Sequence, residues 1–570
     1  MSEIFFYSYL GSLHLLITGY IFYYFFFNKS VEEIKNIFEL GLIGSILLSF
    51  IALFLNFFIK LSQIINDIVF LIPIILFCFI YEKKFLKKIF LISIPIAIAF
   101  TITIAFDNIY RPDAGLYHLP YTSIINENKI IIGAGNLHFR FGHTSIMQYL
   151  SAIYNNHLFG DKGILIPLGL IFCNFIGYLT YEIFNNTKNQ KQIIIFFVFF
   201  SFTMFMMNRY SNFGNDAPAH FYFFYLICES IKKNDLLIKI KKSSIISTFV
   251  FFNKITLLFC FFIPIYLILK NLNLKYIFNK INVFCILFIF LFFLKNFLVS
   301  GCFVFPANIS CIEKAFWYDK NSNRNSNAIN TKVENEAWAK GWPSQGELKK
   351  NYKEYISDLT WINTWKNDHG KIIIKKILPF LIFTILIILL VLFYEIKNKK
   401  QNYVKNLVNY DEIIFFFISL LGIIFWFTNF PVFRYGYSYL ISGFALLLLI
   451  VLGNLQIFEN IFKFKKILSI IVLLLCFGVI SKNIFRIVKN YTLNNPWPSI
   501  YSEKNDLTKI DNIPIIKNKK IIFYKSKSSG TCHYNKSPCT HYFNGNDFTL
   551  DEINLKILFG YKIYYFNNKN

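Results

Sequence analysis

The chain alternates between long apolar runs and short polar segments that are rich in lysine. An apolar stretch of about 18 residues or more with few charges can cross a membrane as a helix. The pattern predicts such helices at roughly 4–27, 37–59, 68–81, 88–106, 163–184, 192–208, 217–231, 244–252 with 255–269, 282–300, 374–396, 412–428, 436–453 and 467–483. The predicted fold class is an all-α polytopic membrane protein with about 12–14 transmembrane helices.

The apolar run from 244 to 269 is interrupted at its middle by Asn253 and Lys254. It forms either one span or two short half-helices that meet at the lysine. Lysine-rich segments at 232–242 and 270–280 flank this run, and the positive-inside rule places both in the cytoplasm. Two half-helices, with Lys254 near the outer surface, satisfy that rule. They give about 14 passes, or about 12 full spans if the hairpin does not cross.

The same rule assigns the lysine-rich segments 82–88 and 397–405 to the cytoplasm and the long polar segments to the outside. The predicted organisation is N-terminal membrane helices in 1–106, a first large outer loop in 107–162, central helices in 163–300, a second outer loop in 301–371, C-terminal helices in 372–483 and an extracytoplasmic domain in 484–570. This last domain is predicted to be small and α/β or β-rich, with strand-like runs at 520–525 and 561–566. The first apolar run lacks the basic start and the cleavage site of a signal peptide, so it is predicted to remain as a membrane helix.

Composition supports a membrane protein and excludes one class of partner. Hydrophobic residues make up 55% of the chain and charged residues only 16%, against about 25% in soluble proteins. The net charge of +26 could suggest nucleic acid. However, the lysines crowd the short loops between apolar runs, as membrane topology requires. We therefore expect membrane lipid, and no nucleic acid, among the partners.

Six of the ten cysteines lie in apolar runs, where cysteine behaves as a small hydrophobic residue. The other four form two close pairs in the predicted outer segments, Cys302 with Cys311 and Cys532 with Cys539. Each pair could form a disulfide if those segments are periplasmic, because disulfides persist in oxidising compartments. The alternative for the second pair is a zinc site of Cys532, His533, Cys539 and His541, although its spacing fits zinc-binding patterns poorly.

The first outer loop carries the richest candidate chemistry. Asp107 and Asp113 follow the fourth predicted span, and the loop continues through Gly133-Ala-Gly-Asn-Leu-His-Phe-Arg140. Amphipathic stretches at about 116–128 and 143–158 predict helices that lie in the membrane interface. Turn chemistry at Asp113 and a helix end at Asp107 are simpler interpretations. A metal site formed by His118, His138 and His143 is a further alternative, although their spacing is irregular.

Other ionisable residues are predicted at the same membrane surface: Asp216, Lys254, Lys295 and Arg434. Ionisable groups at membrane depth are costly and are therefore candidates for function. Carboxylates can act as general bases, and Lys or Arg can stabilise a leaving phosphate. The simpler alternatives are a helix cap at Asp216, lysines that extend to lipid headgroups and a structural ion pair at Arg434.

The chain resembles the GT-C class of membrane glycosyltransferases in three features: an acidic residue in the first large outer loop, interfacial helices near it and many spans. More specific stretches resemble an uncharacterised family of bacterial multi-span proteins found with surface-polysaccharide genes. These stretches are Asp113-Ala-Gly-Leu-Tyr-His-Leu, Gly135-Asn-Leu-His-Phe-Arg-Phe-Gly, Ser300-Gly-Cys-Phe-Val-Phe-Pro306 with Cys311, Glu336-Ala-Trp-Ala-Lys340, and Cys532 with Pro538-Cys-Thr-His-Tyr542.

The GT-C resemblance implies an inverting glycosyltransferase in a bacterial inner membrane. It would take a sugar from a polyprenyl-phosphate donor at the outer face and pass it to a glycan or lipid-linked acceptor. Asp113 would be the base, with Asp107 as the second candidate. The candidate substrate-binding residues, taken from the grouping of polar residues at this surface, are His118, Asn136, His138, Arg140, Asp216, Lys254, Lys295 and Arg434. Lys254, Lys295 and Arg434 would hold the phosphate as it leaves, and His138 and Arg140 would orient the sugar or the acceptor.

One departure from the usual GT-C pattern is that the acidic loop follows the fourth span rather than the first. No cofactor is implied with certainty, and a divalent metal ion stays open. A polymerase or ligase of lipid-linked polysaccharide and a transporter or flippase are the alternative functions.

Overall fold

A computed structural model describes the chain except for residues 28–33, 108, 110, 144, 186–191, 208–213, 343–350, 397–408, 455–460, 503–508, 528–529, 542–551 and 568–570. Within this part, ten helices are long and apolar enough to cross a membrane, and two shorter apolar helices accompany them. The protein is therefore a multi-pass helical membrane protein. The basic segment predicted at 397–405 lies outside the described residues.

The described residues contain twenty α-helices, the long apolar members of which form the membrane bundle. They are α1 (Ser2–Phe27), α2 (Phe38–Asn56), α3 (Gln63–Ile80), α4 (Lys83–Ile104), α5 (Leu119–Glu127), α6 (Ile146–Ile153), α7 (Ile166–Asn185), α8 (Gln192–Met206), α9 (Asp216–Ile231), α10 (Leu236–Asn253), α11 (Phe262–Leu269), α12 (Leu274–Ile277), α13 (Lys280–Ser300), α14 (Ala328–Ala339), α15 (Tyr352–Ser357), α16 (Trp361–Trp365), α17 (Leu378–Ile396), α18 (Tyr410–Asn429), α19 (Tyr437–Asn454) and α20 (Ile461–Asn490). Each predicted span overlaps one of these helices, but only ten of the described helices are long and apolar enough to cross a membrane, fewer than the 12–14 predicted.

The long polar segments gather at one end of the bundle, which we call the loop end: residues 107–165, 301–342 and 491–567. The N-terminus lies there too, because Glu3 pairs with Lys162 at 2.9 Å and accepts a hydrogen bond from the Trp497 indole. Arg324 joins the second loop to the C-terminal segment through Glu552, at 3.0 Å. The three segments therefore form one assembly over the helix ends.

The C-terminal segment contains two small antiparallel sheets. Strand β1 (Asn512–Lys517) pairs with β2 (Lys520–Ser526), and β3 (Ile553–Leu558) pairs with β4 (Tyr561–Phe566). The strand-like runs predicted at 520–525 and 561–566 are confirmed as β2 and β4. Strand β4 also pairs with the first loop, since the Ile132 amide donates to the Lys562 carbonyl at 3.0 Å.

Two disulfides brace the loop end, and they join the cysteine pairs expected from the sequence: Cys302 with Cys311, and Cys532 with Cys539. The backbone amides of Cys532 and His533 both donate to the Gly115 carbonyl in the first loop. A Cβ at Gly115 would lie 2.6 Å from the His533 ring, so this contact requires glycine. The second disulfide therefore sits directly against the segment that follows Asp113. Because the two sulfurs are bonded to each other, the structure favours the disulfide over the zinc alternative for this pair.

The helices α5 and α6, predicted to lie in the membrane interface, are instead buried inside the protein. Nearly every residue in both is shielded from solvent, and they pack on each other, with α6 also packed on α2 and α3. Ser145 caps α6, because its hydroxyl oxygen accepts a hydrogen bond from the Met147 amide. The Gln148 side-chain oxygen in turn accepts one from the Ser145 amide. The amphipathic pattern reflects packing against neighbouring helices rather than contact with headgroups.

The opposite end of the bundle contains a buried network of ionic side chains. Lys242 contacts both Glu39 and Glu229, the latter at 2.7 Å, and Lys232 contacts Glu229 at 2.5 Å and Glu182 at 2.9 Å. The Glu229 side chain is only 1% exposed. This network joins the ends of α7 and α9 to the starts of α2 and α10. The sequence pattern placed Lys242 in a loop, whereas α10 begins at Leu236 and carries it into the bundle.

Candidate functional site

Four ionisable residues form a chain of ion pairs at the loop end. An Arg434 Nη2 lies 3.3 Å from Asp113 Oδ2, and Arg434 Nε lies 3.2 Å from Asp216 Oδ2. The other oxygen of Asp216 contacts Lys254 Nζ. The order along the chain of pairs is therefore Asp113, Arg434, Asp216, Lys254. The structure brings together four of the residues that the sequence predicted to meet at this surface.

Helix ends place these side chains. Asp216 is the first residue of α9, Lys254 follows the last residue of α10, and Arg434 lies in the 3₁₀ turn Phe433–Gly436 before α19. Asp113 stands just before a π-helical turn, Ala114–His118, that leads into α5. Helix ends leave backbone groups without intrahelical partners, so polar side chains are expected there.

The predicted break at Lys254 is present. The backbone of Lys254 is extended, with φ −152° and ψ 103°, between the end of α10 and a 3₁₀ segment, Ile255–Phe261, that leads into α11. Asn253 holds the break, because its side chain accepts from Ser145 Oγ at 2.9 Å and its carbonyl accepts from Asn215 at 3.1 Å. The break turns Lys254 toward Asp216 and away from the helix axis.

Aromatic rings flank Lys254 and a further cation of the first loop, Arg140. Lys254 Nζ lies 3.5 Å from the centre of the Tyr435 ring, a distance typical of a cation–π contact. The Arg140 guanidinium lies 5.1 Å from both the Tyr117 and the Phe139 rings. Burial raises the pKa of Tyr117 well above its usual range, and the nearby Asp113 carboxylate adds to this effect. Tyr117 is therefore a neutral hydrogen-bonding group at working pH.

A cavity of about 420 Å³ opens beside this chain of ion pairs. Its charged lining consists of Arg140, Asp216, Lys254 and Lys332, which gives three cations to one carboxylate. The apolar part of the lining includes Phe252, Ile255, Leu258, Val304, Phe305, Pro306, Trp338, Phe425 and Phe430. A cationic cavity with a largely apolar lining suits an anionic group that carries a hydrocarbon chain.

Sequence reasoning missed several residues of this cavity. Lys332, Asn335 and Trp338 all come from α14, and Asn335 lies 3.5 Å from His143. A signal was present, because Trp338 belongs to the stretch 336–340 and Phe305 to the stretch 300–306, both of which carried the family resemblance. Neither stretch contains a charge pattern that would have placed it at the cavity.

Three polar residues of the first loop, predicted to bind substrate, do not line the cavity. His118 contacts Gln148 of α6 at 3.2 Å, and His138 accepts the Arg140 amide at 3.1 Å. Asn136 donates to the carbonyls of Trp317, at 2.9 Å, and Tyr564, at 3.0 Å. These contacts hold the first loop against its neighbours, so the three residues position the loop and do not contact the cavity.

Asp107 and Lys295 also lie away from the cavity lining. Asp107 is buried, and its carboxylate lies 3.4 Å from Arg486 of α20. Arg486 also donates to the carbonyls of Ile102 and Thr103 at the end of α4. Lys295 is buried in α13 with its Nζ 4.5 Å from the Phe292 ring. Asp113 does not line the cavity either, but Arg434 links it to the lining residue Asp216, so the geometry favours Asp113 over Asp107 as the carboxylate nearer the cavity.

Within the described part of the chain, no three His, Cys, Asp or Glu side chains are grouped so that they could hold a metal ion. The histidines considered for such a site are separated by other contacts: His118 with Gln148, and His143 with Asn335. The His138 and His541 rings are near each other, with their centres 4.8 Å apart. The arrangement of these rings suits packing of the loop against the C-terminal segment.

Acid is expected to loosen the loop end. Burial lowers the pKa of His118 and His541 to about 4 and that of His143 to about 3, and it also lowers the pKa of His138. Unfolded histidine titrates near pH 6.5, so between about pH 6.5 and pH 4 the unfolded state binds more protons. Stability of the loop end should therefore fall as the pH is lowered through this window.

Hydrogen exchange of the loop-end amides, corrected for intrinsic rates, tests this prediction at pH 7 and pH 4.5. The wild-type protein should lose protection at pH 4.5, and the His541→Asn variant should lose less. Equal protection at both pH values in the wild-type protein would contradict the expected proton linkage.

No curated protein and no solved structure matches this sequence. One family model matches residues 1–441, and its description is a domain of unknown function, DUF8201. The match includes all four residues of the ion-pair chain and the α14 residues of the cavity, whereas the two small sheets lie beyond it. Because the matched region covers well over half of the chain, the protein belongs to the DUF8201 family.

Proposed function

We propose that this protein is an inverting membrane glycosyltransferase that uses a polyprenyl-phosphate-linked sugar. The observation that carries the proposal is the cavity, in which Arg140, Lys254 and Lys332 share the lining with many apolar side chains, beside the Asp113–Arg434–Asp216 chain. A lipid-phosphate donor has both features that this lining would recognise: an anionic group and a long hydrocarbon chain. The reaction would serve surface-polysaccharide or glycolipid assembly.

The phosphate end of the donor would bind at the cations. Lys254 has an ammonium that is held by one oxygen of Asp216, and an ammonium has three donors. It can therefore contact a phosphate while it keeps its carboxylate partner. Arg434 does not line the cavity, but the other oxygen of the lining residue Asp216 holds it beside the cavity. Charge-assisted hydrogen bonds from both residues would stabilise the phosphate as negative charge develops on it.

Asp113 would act as the general base. Its side chain is 34% exposed and contacts Arg434 through one oxygen, so lone pairs are left for an acceptor hydroxyl. The hydroxyl would lose its proton to Asp113 as its oxygen attacks the anomeric carbon. The bond from that carbon to the phosphate oxygen would break with inversion, and polyprenyl phosphate would leave. Arg434 would hold the carboxylate toward the cavity.

The distribution of charge supports an outer-face site in a bacterial inner membrane. The end of the bundle opposite the loop end carries Lys83, Lys87, Lys232, Lys275 and Lys280. Cytoplasmic loops carry an excess of such residues. The loop end, with its two disulfides, would then face the oxidising side.

The position of the break in the bundle favours a transferase over a transporter. Transporters place substrate sites near the membrane midplane on broken helices. The break at Lys254 instead comes after the full length of α10, level with Asp216 and the first loop. A polymerase or ligase would share this location, and it would differ in joining whole repeats rather than single sugars.

Binding of polyprenyl phosphate, the product of the proposed donor, tests the cation site. Lys254→Gln should weaken this binding by about 10- to 100-fold, because a hydrogen bond to a charged group contributes about 1.5–3 kcal/mol. The measurement is a titration of the purified protein in detergent with polyprenyl phosphate. Lys270→Gln is the matched control, since Lys270 is also paired with a carboxylate, Asp411, at the opposite end of the bundle.

The control variant should bind polyprenyl phosphate as tightly as the wild-type protein. If Lys254→Gln also binds as tightly as the wild-type protein, the phosphate is not held at this cavity, and the proposed donor site is wrong.

A further inference from the structure

The hairpin formed by β3 and β4 ends in an exposed aromatic residue. Leu558 pairs with Tyr561, so the turn consists of Phe559 and Gly560. Phe559 is 88% exposed, and its neighbours Ile557 and Leu558 are exposed as well. A large apolar tip that faces water is unfavourable, which indicates that something apolar covers it.

The backbone of this turn makes the aromatic residue more unusual. Phe559 has a φ of 49° and Gly560 a φ of 76°. Positive φ at both central residues is the pattern of a type I′ hairpin turn, which favours Asn-Gly or Asp-Gly. Phenylalanine is strained in this region of φ, because its Cβ clashes with the backbone. Phe559 therefore serves neither the turn conformation nor solubility.

The sister hairpin provides an internal comparison. The turn between β1 and β2 has the same two-residue length, and φ is again positive at both central residues, Asn518 and Lys519. Both of its central residues are polar and exposed. The central residues are therefore both polar in this turn and include an aromatic residue in the other, although Ile516 and Ile521 beside the polar turn are also exposed. The apolar tip of the β3–β4 hairpin is not required by the geometry.

The hairpin is attached to the end of a membrane-spanning helix. The Tyr561 hydroxyl donates to the carbonyl of Phe57, directly after α2, and α2 is one of the ten helices that could cross a membrane. The tip lies two residues beyond Tyr561, which is at most about 7 Å along an extended strand. The headgroup region on each side of a bilayer is about 5–8 Å thick, so the tip lies within reach of it.

The surroundings of the tip continue the lipid-facing surface. Phe54 and Phe58 at the end of α2 are exposed, the latter by 57%, and Ile64 at the start of α3 is exposed too. Lysines also lie near the tip: Lys129, 5.1 Å from the Tyr561 ring, and Lys556 and Lys562 on the two strands. Apolar tips flanked by lysines are suited to the boundary between acyl chains and phosphate headgroups.

We propose that the β3–β4 hairpin is a lipid anchor, with Phe559 inserted into the bilayer interface beside the end of α2 and the neighbouring lysines on lipid phosphates. The anchor fixes the C-terminal segment against the membrane, and through the pairing of β4 with Ile132 it also fixes the first loop. This inference does not depend on the enzymatic activity.

Photocrosslinking tests the contact directly. The full-length protein carries p-benzoylphenylalanine at position 559, or at position 518 as the matched control in the sister turn. It is reconstituted into vesicles of phosphatidylethanolamine and phosphatidylglycerol, illuminated and analysed by mass spectrometry. Lipid adducts are expected at 559 and not at 518. The absence of lipid adducts at 559, or crosslinks there to a second copy of the chain or to another protein, would overturn the proposal.

A second variant separates anchoring from folding. Phe559→Asn creates the preferred Asn-Gly turn, so the hairpin itself should be at least as stable. In vesicles with the C-terminal segment facing outward, trypsin should cleave this variant faster than the wild-type protein after Lys556 and Lys562. Cleavage within the sister hairpin, after the exposed Lys519 and Lys520, should be unchanged. Faster cleavage at neither hairpin, or at both alike, would overturn the proposal.

Discussion

Replacing Asp113 with asparagine is expected to lower the rate of sugar transfer by about 10²- to 10⁴-fold, the range that a general base contributes. The amide has the shape of the carboxylate but cannot accept the proton of the acceptor hydroxyl. Asp113 is well placed for this role, because it is partly exposed and linked through Arg434 to the residues of the cavity. The measurement is the transfer of label from lipid-linked sugar in membranes that contain equal amounts of each variant.

Two further variants make this result specific. Asp113→Glu keeps a carboxylate and should retain more activity than Asp113→Asn. Asp107→Asn removes a carboxylate that contacts Arg486 rather than the cavity. It should lower the amount of folded protein but leave the rate per folded molecule close to that of the wild-type protein. If Asp107→Asn lost the activity and Asp113→Asn kept it, the base would be Asp107.

Replacing Lys242 with methionine is expected to destabilise the protein by about 3–5 kcal/mol, the cost of leaving a buried charge without its partner. Lys242 contacts both Glu39 and Glu229, and the Glu229 side chain is almost completely buried. Without the ammonium, Lys232 alone remains to balance three carboxylates in the network. The helix ends that these residues join would then repel one another.

Thermal unfolding in detergent measures this loss, and Lys270→Met is the matched control. Lys270 is also paired with a carboxylate, at 2.7 Å, but its side chain is 48% exposed. Exposed pairs contribute only about 0–1 kcal/mol. The unfolding temperature should therefore fall much further for Lys242→Met than for Lys270→Met. Similar shifts for the two variants would show that the buried network does not stabilise the bundle.

The sequence predicted that the four residues of the ion-pair chain lie together, because the membrane topology places all of them at the same end of the helices. Charge in the connecting segments assigned each helix end to one side, and the Asn253-Lys254 pair indicated a break. Asp113, Asp216, Lys254 and Arg434 then had to share one surface, and the structure brings them into contact. The pattern of apolar runs therefore predicts the position of each residue along the length of its helix.

The pattern does not predict the direction in which a side chain points around its helix, and for this reason some predicted site residues do not line the cavity. Lys295 is close to the expected depth, yet its side chain packs on Phe292 rather than at the cavity. In helices that are apolar on every side, hydrophobic periodicity does not reveal which face meets which neighbour. The same limit hid the contribution of α14, whose residues lie far along the chain from those that they face across the cavity.

Helix boundaries caused the other misses. The lysine-rich stretch 232–242 looked like a loop, but α10 begins within it because Asp235 caps the helix through the Leu237 amide. Lys242 consequently enters the bundle and meets Glu229. The amphipathic stretches of the first loop similarly resembled interfacial helices, because an apolar face that contacts protein and one that contacts lipid have the same pattern.

The glycan profile of cells that carry Asp113→Asn in place of the wild-type protein, at equal membrane levels, tests the proposed function most directly. In these cells one defined sugar should be lost from the surface glycan or glycolipid, and an acceptor one sugar shorter should accumulate on its lipid carrier. Loss of joined repeats with every sugar intact would indicate a polymerase or ligase. Unchanged glycans in both the Asp113→Asn and the Asp107→Asn cells would contradict the proposal that the protein is a glycosyltransferase with one of these aspartates as its base.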